Sequence, residues 1–541
     1  MDTPACFPEW LRKTAIYQIF PASFQDSNGD GIGDLRGILS RLDYIRELGF
    51  ETVWLSPIFE SPFRDAGYDV SDYCKIAPRY GKMSDLEALL AGLHERGMRL
   101  LLDFVPGHTS IQHPWFTASS RHERSAYSDR YVWTDTTFYT GDKGTGPGQF
   151  INGHGERDGN YLANFFYFQP ALNYGYADPD PGLPWQLPTD HPSVQSLRQE
   201  MFRILRFWLD KGVDGFRVDM AASLIKSNDP SMAREAMTGF WQEVRQWWDR
   251  DYPEAALIAE WSNPSRAIEA GFHIDFMIHF EEASYMKVFR GENKYTIFDR
   301  GDVSYFNPRG NGELQTFFRE LQGHRAYIGN RGLISIPTGN HDLPRYSRDR
   351  SEAELKNILT FLFTLPSVPT LYYGDEIGMR SLEDLPSKEG AYRRTGARTP
   401  MQWDGTDGCG FSTAPEKDFY LPVDPSPERP SVARQLARGD SLLHHTKRLI
   451  ALRKRYTELG SEAPLRQLNA PAAPYPVVYQ REGHGSRTLI AVNPLNETKT
   501  AALTLPITVK KVLLGEARIK TTATTTEIEL PPLASAILHL G

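Results

Sequence analysis

Four apolar runs of the chain end in residues that could do acid, base or nucleophilic chemistry. Arg99–Val105 carries Asp103 and is followed by His108. Val213–Val218 carries Arg217 and stops at Asp219, and Ala255–Ala259 stops at Glu260. Leu333–Pro337 is followed by Asn340, His341 and Asp342. A single carboxylate at a strand end is commonly a helix cap. Carboxylates, an arginine and two histidines at the same edge of consecutive strands are harder to explain that way. Clustered carboxylates beside an arginine, without metal-ligand spacing, suit cleavage of a glycosidic bond. One carboxylate attacks the anomeric carbon, and a second, kept protonated by its like-charged neighbours, gives its proton to the leaving oxygen. An ion pair with Arg217 would hold Asp219 ionised and aimed as the nucleophile. The GxSxG, HExxH and GxxxxGK[ST] patterns are absent.

A second polar cluster lies near the N-terminus. Gly29-Asp30-Gly31-Ile32-Gly33-Asp34 resembles a dinucleotide loop, but its third glycine falls one residue early. Asp26, Asn28, Asp30 and Asp34 follow the opening positions of an EF-hand loop, yet Gly37 stands where the bidentate glutamate belongs. The cluster reads as a structural Ca2+ or Mg2+ site, with a plain Asx-rich turn as the alternative.

The elements that must position these residues alternate in type. Thr14–Phe20, Glu51–Leu55, Arg99–Val105, Val213–Val218, Ala255–Ala259, His273–Ile278, Leu333–Pro337 and Val368–Tyr372 read as eight buried strands. Helical patterns separate most of them, at 37–48, 84–96, 193–209, 231–250, 352–365 and, last, 441–456. Continuous apolar strands alternating with helices predict an α/β fold, a (β/α)8 TIM barrel, with a doubly wound open sheet as the alternative. The Gly-, Asp- and Asn-rich stretch after the third strand predicts an inserted domain over the barrel mouth. Beyond residue 456, six short strands predict a C-terminal all-β sandwich. The expected division is barrel (1–106), inserted domain (107–192), barrel (193–456) and sandwich (457–541), with a second excursion over 374–430.

Composition sets the outer limits. The 541 residues carry 60 Lys+Arg against 68 Asp+Glu, a formal charge of −8, which argues against a nucleic-acid partner. A mean hydropathy of −0.46 and the lack of an apolar run of about 18 residues argue against a membrane span. Cys6, Cys74 and Cys409 are too few and too far apart for a disulfide framework, and no signal-peptide pattern opens the chain. A cytoplasmic monomer or homodimer is the expectation. The 11 Trp, 25 Tyr and 29 Phe exceed what a core requires, and Tyr68, Trp115, Phe116, Tyr167, Trp261 and Trp403 are candidates to line a sugar pocket.

Eight motifs carry a resemblance to a known family: GYDVSDY (67–73), DFVPGHTS (103–110), QPALN (169–173), GFRVDMA (215–221), IAEWS (258–262), TGNHDLPR (338–345), GDEIGM (374–379) and ARTPMQWD (397–404). In this order they resemble glycoside hydrolase family 13, the α-amylase family, and most of all its α-glucosidase, oligo-1,6-glucosidase and trehalose synthase branch. The resemblance spans essentially the whole chain. It implies Asp219 as nucleophile, Glu260 as general acid/base and Asp342 as the carboxylate that stabilises the transition state, in a retaining double displacement. It further implies Arg217 against the nucleophile, His108 and His341 on sugar hydroxyls, and Tyr68 stacked on the sugar. Asp69 and Arg398 resemble the pair that grips the non-reducing end in exo-acting members. The DxNxDGxGD stretch resembles the branch's metal loop, with Asp26, Asn28, Asp30, Ile32 and Asp34 as ligands.

The chain departs from the family at Gly107, where an Asn is common, at Ala171, where QPDLN-type members have Asp, and at Met220 and Trp261 beside the nucleophile and the acid. The stretches HPWF (113–116) and RYVWTDT (130–136) are similar to trehalose synthases. The leading expectation is an exo-acting α-glucosidase for short α-glucosides or oligosaccharides. The alternatives are a transglucosylase or trehalose synthase-like isomerase with the same glycosyl-enzyme, and a non-catalytic sugar-binding or transporter-associated relative, which would lack the carboxylates kept here.

Overall fold

Parallel pairing of eight strands closes the sheet on itself. In the computed structural model, which describes residues 7–139, 148–278, 283–290, 304–310, 312–470, 473–483 and 485–541, the strands are β1 (Ile16–Ile19), β2 (Thr52–Leu55), β3 (Arg99–Phe104), β4 (Gly215–Val218), β5 (Ala256–Ala259), β6 (Ile274–Phe276), β7 (Leu333–Pro337) and β8 (Val368–Tyr372). β1 pairs with both β2 and β8, so the sheet is a closed barrel and the open-sheet alternative is discarded. Nearly every strand residue is buried, as expected of strands covered on both faces.

Outer helices form where apolar residues recur every three or four positions. Pro192–Leu209 buries Val194, Leu197, Met201, Ile204, Leu205 and Trp208 along one stripe. Its start is set by Pro at the first turn and by the His191 ring, which accepts from the Ser193 amide. Glu352–Thr364 begins at a reciprocal capping box between Ser351 and Glu354. The helix expected over 37–48 is two helices, Leu35–Ser40 and Leu42–Leu48, because Arg41 leaves helical geometry between them.

The stretch between β3 and Pro192 contains one short helix, Pro114–Ser119, and a two-stranded ribbon of Phe150–Ile151 and Tyr161–Leu162. An antiparallel bridge between His108 and Ala171 ties both ends of this segment to the β3 loop. Beyond β8, the second excursion packs on the β1 loop: Met401 and Asp26 amides donate to Ser23 and Phe411 carbonyls at 2.8 and 3.0 Å.

The C-terminal strands are antiparallel throughout. One sheet runs Leu465–Gln467, Val477–Gly483, Ser486–Val492, Ser535–His539, Lys511–Gly515; the other runs Lys499–Leu503, Thr526–Leu530, Arg518–Thr521. Val478, Leu489, Ala491 and Leu538 of the first meet Leu503, Ile528 and Leu530 of the second in a core of their own. Leu465–Gln467 and Arg518–Thr521 escaped sequence reading because they are short and largely exposed. Cys74 and Cys409 are free thiols, and Cys6 lies outside the described residues.

Candidate active site

Register builds the site before any side chain is considered. β3 and β4 pair Asp103 with Arg217, and the strand ends of β4 and β5 put Asp219 and Glu260 one residue past the sheet. Arg217 is almost fully buried and its guanidinium gathers three carboxylates. Nη1 lies 2.6 Å from Asp103 and 2.9 Å from Asp219, and Nη2 lies 2.6 Å from Glu260. The amide of Met220 donates to Glu260 Oε2 at 3.0 Å. Met220 and Ser262 have φ of 43° and 60°, left-handed conformations that L-residues adopt at a cost. That strain sits beside Asp219 and Glu260.

One guanidinium serves three buried carboxylates. Burial pushes the Asp219 carboxyl well above its ordinary range, the facing Glu260 adds to the rise, and Arg217 only partly opposes it. Arg217 orients Asp219, as the sequence reading expects, while burial and the neighbouring Glu260 act against its ionisation. Asp103, also raised by burial to about 6, is anchored by Arg217 and by the Trp54 indole N–H at 3.0 Å.

Asp342 is the opposite case. Burial would raise it, but His341, Arg394, Arg398 and Arg217 together outweigh burial and hold it ionised, below the usual carboxylate range. Arg394 and Arg398 donate to its Oδ1 at 2.6 and 3.1 Å. His341 stacks on Tyr68, with ring centroids 5.3 Å apart, and its Nε2 lies 2.7 Å from the Tyr68 hydroxyl and 3.2 Å from Asp342. Burial depresses both His108 and His341 to about 3, so each imidazole is neutral near pH 7. The Asn164 amide donates to His108 Nδ1 at 3.0 Å, which leaves the proton on Nε2. That buried Nε2 has no partner among the described residues, as befits a donor awaiting a hydroxyl.

The structure thus brings together Tyr68, His108, Arg217, Asp219, Glu260, His341, Asp342 and Arg398. Asp69 is placed differently. Its carboxylate accepts from the Ser61 hydroxyl and from the Arg64 and Asp65 amides, each at 3.0 Å, and so serves its own loop. Asp65 is the acid that feels Arg394, Arg398 and Asp342; burial raises it to about 7. Sequence reasoning missed Asp65, although it lies three residues from Tyr68, and Arg394, one turn before Arg398. Asn164 left no local signal. It fills the space that Gly107 vacates, for a Cβ on Gly107 would lie 2.9 Å from the Asn164 amide nitrogen. Among the aromatic candidates, Phe116 packs inside the inserted segment against Trp133 and Tyr161, and Trp403 is buried with its indole N–H on the Phe24 carbonyl. Both are core rather than pocket.

The acidic loop after β1 is oxygen-rich, which suits Ca2+ or Mg2+ by donor type. As folded, its oxygens serve the chain. Asp26 accepts from the amides of Asn28, Gly29 and Gly31 and from the Ser412 hydroxyl. Asp34 caps the following helix at the Gly37 amide and also accepts from Ser27. Asp30 accepts from the Ile32 amide. Among the described residues no three His, Cys, Asp or Glu converge as a metal cage, and these hydrogen bonds close the loop as an Asx-turn network.

An eight-stranded parallel barrel with carboxylates at the C-terminal ends of β4, β5 and β7 defines a sugar-processing enzyme of the glycoside hydrolase type. The chain belongs to the alpha-amylase family: the description "Alpha amylase, catalytic domain" matches residues 18–462. It is similar to an oligo-1,6-glucosidase of Bacillus cereus, 32% identical over 82% of this chain and 84% of the relative. It is equally similar to a trehalose synthase of Pimelobacter sp., 32% identical over 84% of this chain and 81% of that protein. Among solved structures, the isomaltulose synthase of Erwinia rhapontici superposes with a TM-score of 0.83 at 25% identity, covering 99% of this chain and 100% of the other.

Proposed function

We propose that the protein is a retaining, exo-acting α-glucosidase that removes the non-reducing glucose of short α-glucosides. The observation that carries this reading is the shared guanidinium of Arg217, whose two terminal nitrogens hold Asp219 and Glu260 at 2.9 and 2.6 Å. Two carboxylates drawn to one guanidinium suit the separation of about 5–5.5 Å of retaining enzymes better than the about 6.5–9.5 Å that inversion needs for its water. Asp219 attacks the anomeric carbon as Glu260 passes its proton to the departing oxygen, giving a glucosyl ester on Asp219. Glu260 then takes a proton from water, whose oxygen displaces Asp219 and releases glucose. Asp342, ionised throughout, stabilises the positive charge that develops on the ring. Asp65 with Arg394 and Arg398 would close the far end of the pocket and hold the terminal glucose, the support for exo-action.

Activity on maltose, isomaltose, sucrose, trehalose and nitrophenyl α-glucoside, with the anomer of the first glucose followed by NMR, tests this reading. Release of β-glucose first would refute retention. A second reading, transglucosylation or isomerisation through the same intermediate, is favoured by the similarity to a trehalose synthase and to the isomaltulose synthase structure. Mostly trehalose or longer sugars from maltose would establish it in place of hydrolysis. A cytoplasmic location and a monomeric or homodimeric state complete the proposal, read by fractionation and by sedimentation. No helix among the described residues is long and apolar enough to cross a membrane.

We retain one structural ion at Asp26, Asn28, Asp30, Asp34 and the Ile32 carbonyl as a proposal, supported by the oxygen-only donor set. Excess EDTA should lower Tm and millimolar Ca2+ should restore it. An unchanged Tm in both would leave the Asx-turn network as the whole account of the loop.

A further inference from the structure

We propose that Gln18 is a positioning residue for the glucoside reaction: its side-chain amide fixes His341 as a donor through Nε2. It thereby sets the direction of a buried hydrogen-bond relay that runs from Gln18 through His341 and Tyr68 to Asp103. The inference rests on the glucosidase reading above and names a further residue of that same site.

Gln18 stands third in β1, level with Trp54 of β2 and Tyr372 of β8. Gln18 and Trp54 are both buried, and each turns one side-chain N–H to a pocket group. Trp54 meets Asp103 at 3.0 Å, and Gln18 Nε2 meets His341 Nδ1 at 3.0 Å. A side-chain amide inside a barrel is costly unless it is paired. Among the described residues the buried Gln18 Oε1 has no partner. A Met would fill similar space without that penalty, so packing does not account for this residue, whereas the bond to His341 does.

The relay can run in one sense only. Asp342, the anion held by Arg394 and Arg398, lies 3.2 Å from His341 Nε2, so the proton sits on Nε2 and Nδ1 is left as an acceptor. Gln18 must then donate to it. The Tyr68 hydroxyl lies 2.7 Å from His341 Nε2 and donates to Asp103 Oδ2 at 3.2 Å, so it accepts from the imidazole. Asp103 ends the relay against Arg217. Phe20 and Tyr68 lie within 23° and 11° of the His341 ring plane, at 6.4 and 5.3 Å between centroids, which fixes the ring and leaves only its proton to be placed. The charged groups acting on this imidazole are Asp342, Arg398, Arg217 and Arg394. Burial and the three arginines oppose a second proton, and the Gln18 N–H occupies the one nitrogen that could take it. Asp342 therefore faces the sugar ring without an imidazolium to share its charge. Asn164 treats His108 in the same way, its own oxygen turned to Lys226 Nζ at 3.5 Å.

One test needs no turnover. In the full-length protein labelled with 15N-histidine, His341 being identified by its loss in His341→Asn, the wild-type ring should read as neutral Nε2–H from pH 6 to pH 8. A proton on Nδ1 in that range would overturn the inference. Gln18→Met removes the amide at similar volume. It should lower kcat/KM on maltose and on nitrophenyl α-glucoside about tenfold, with Tm unchanged or raised. A lower Tm with unchanged kinetics would make Gln18 a packing residue and overturn its positioning role. Gln18→Glu keeps the shape and reverses the polarity. Its carboxylate accepts from Nδ1–H, so His341 should read as an imidazolium and kcat should fall further than in the Met variant. A neutral His341 with wild-type kcat there would refute the relay. Wild-type protein inactive on both glucosides would overturn the glucosidase reading and the part of Gln18 in it, whereas a wrong tautomer in active protein would overturn this inference alone.

Discussion

Asp219 and Glu260 meet on the one guanidinium of Arg217. Burial and the charge of Glu260 both raise Asp219, so removing that charge must lower it. Glu260→Gln should therefore move the acid limb of the pH profile for fluoride release from α-glucosyl fluoride to lower pH. The fluoride burst is the right readout because that departure needs little proton assistance. An unmoved limb would show that the charge of Glu260 does not raise Asp219. Asp65 and Asp69 make a second comparison. Asp65→Asn should raise KM for maltose tenfold or more, because the variant loses the charge facing Arg394 and Arg398. Asp69→Asn should instead lower Tm, because its carboxylate supports its own loop.

At the scale of elements, β6 acts on the site without touching it. Asp275 in β6 accepts from the Trp261 amide at 2.9 Å and the Asn263 amide at 2.8 Å, fixing the turn immediately after Glu260. Asp275→Asn turns one acceptor into a donor facing an amide, at about 1–3 kcal/mol for a buried unsatisfied group. Lower kcat and a Tm reduced by several degrees are expected. The pH dependence has a definite sign. Burial raises Asp275 to about 8 in the folded protein, far above the unfolded value of about 3.9. The stability tied to its neutral form is complete below about pH 4 and is lost as pH rises through 8. The Tm advantage of wild type over the variant should accordingly shrink between pH 5 and pH 8, and an advantage that grows would refute the assignment.

Over the whole molecule, the C-terminal sandwich and the barrel share one core. Val477, Tyr479, Ile490 and Ile537 of the first sheet pack into the same apolar cluster as the barrel helices. Buried Arg481 crosses the junction, donating to the carbonyls of Thr364, Gly460, Ala463 and Pro464. With the sandwich removed, that barrel face and those carbonyls would be uncovered. Arg481→Ala should lower Tm by several degrees with KM unchanged, because the junction is remote from the Arg217 cluster in the chain's topology. A chain ending at Tyr456 should fail to accumulate as folded protein. Full activity from that shortened chain would show the barrel to be independent.

Much of the fold was legible in the residues. The eight strands were found because buried parallel strands read as continuous apolar runs, and the candidate acids because barrel topology puts chemistry at strand ends. Short exposed strands of the sandwich were not, since nothing apolar marks them. Periodicity thus predicted eight buried strands and the edge that carries chemistry, with an open sheet still possible, and the motif resemblance singled out Asp219, Glu260 and Asp342 as a set. Only the tertiary structure decided which acid faces Arg398. Asp65 and Asp69 lie four positions apart with similar neighbours, and their roles differ because one carboxylate is consumed by local amides while the other is left in the field of two arginines. It likewise decided that Asp219 and Glu260 share one guanidinium, that Asn164 occupies the space beside Gly107, and that rings from two distant excursions meet. These depend on distance and burial, which reside in the packing between elements and not in the order of residues along the chain.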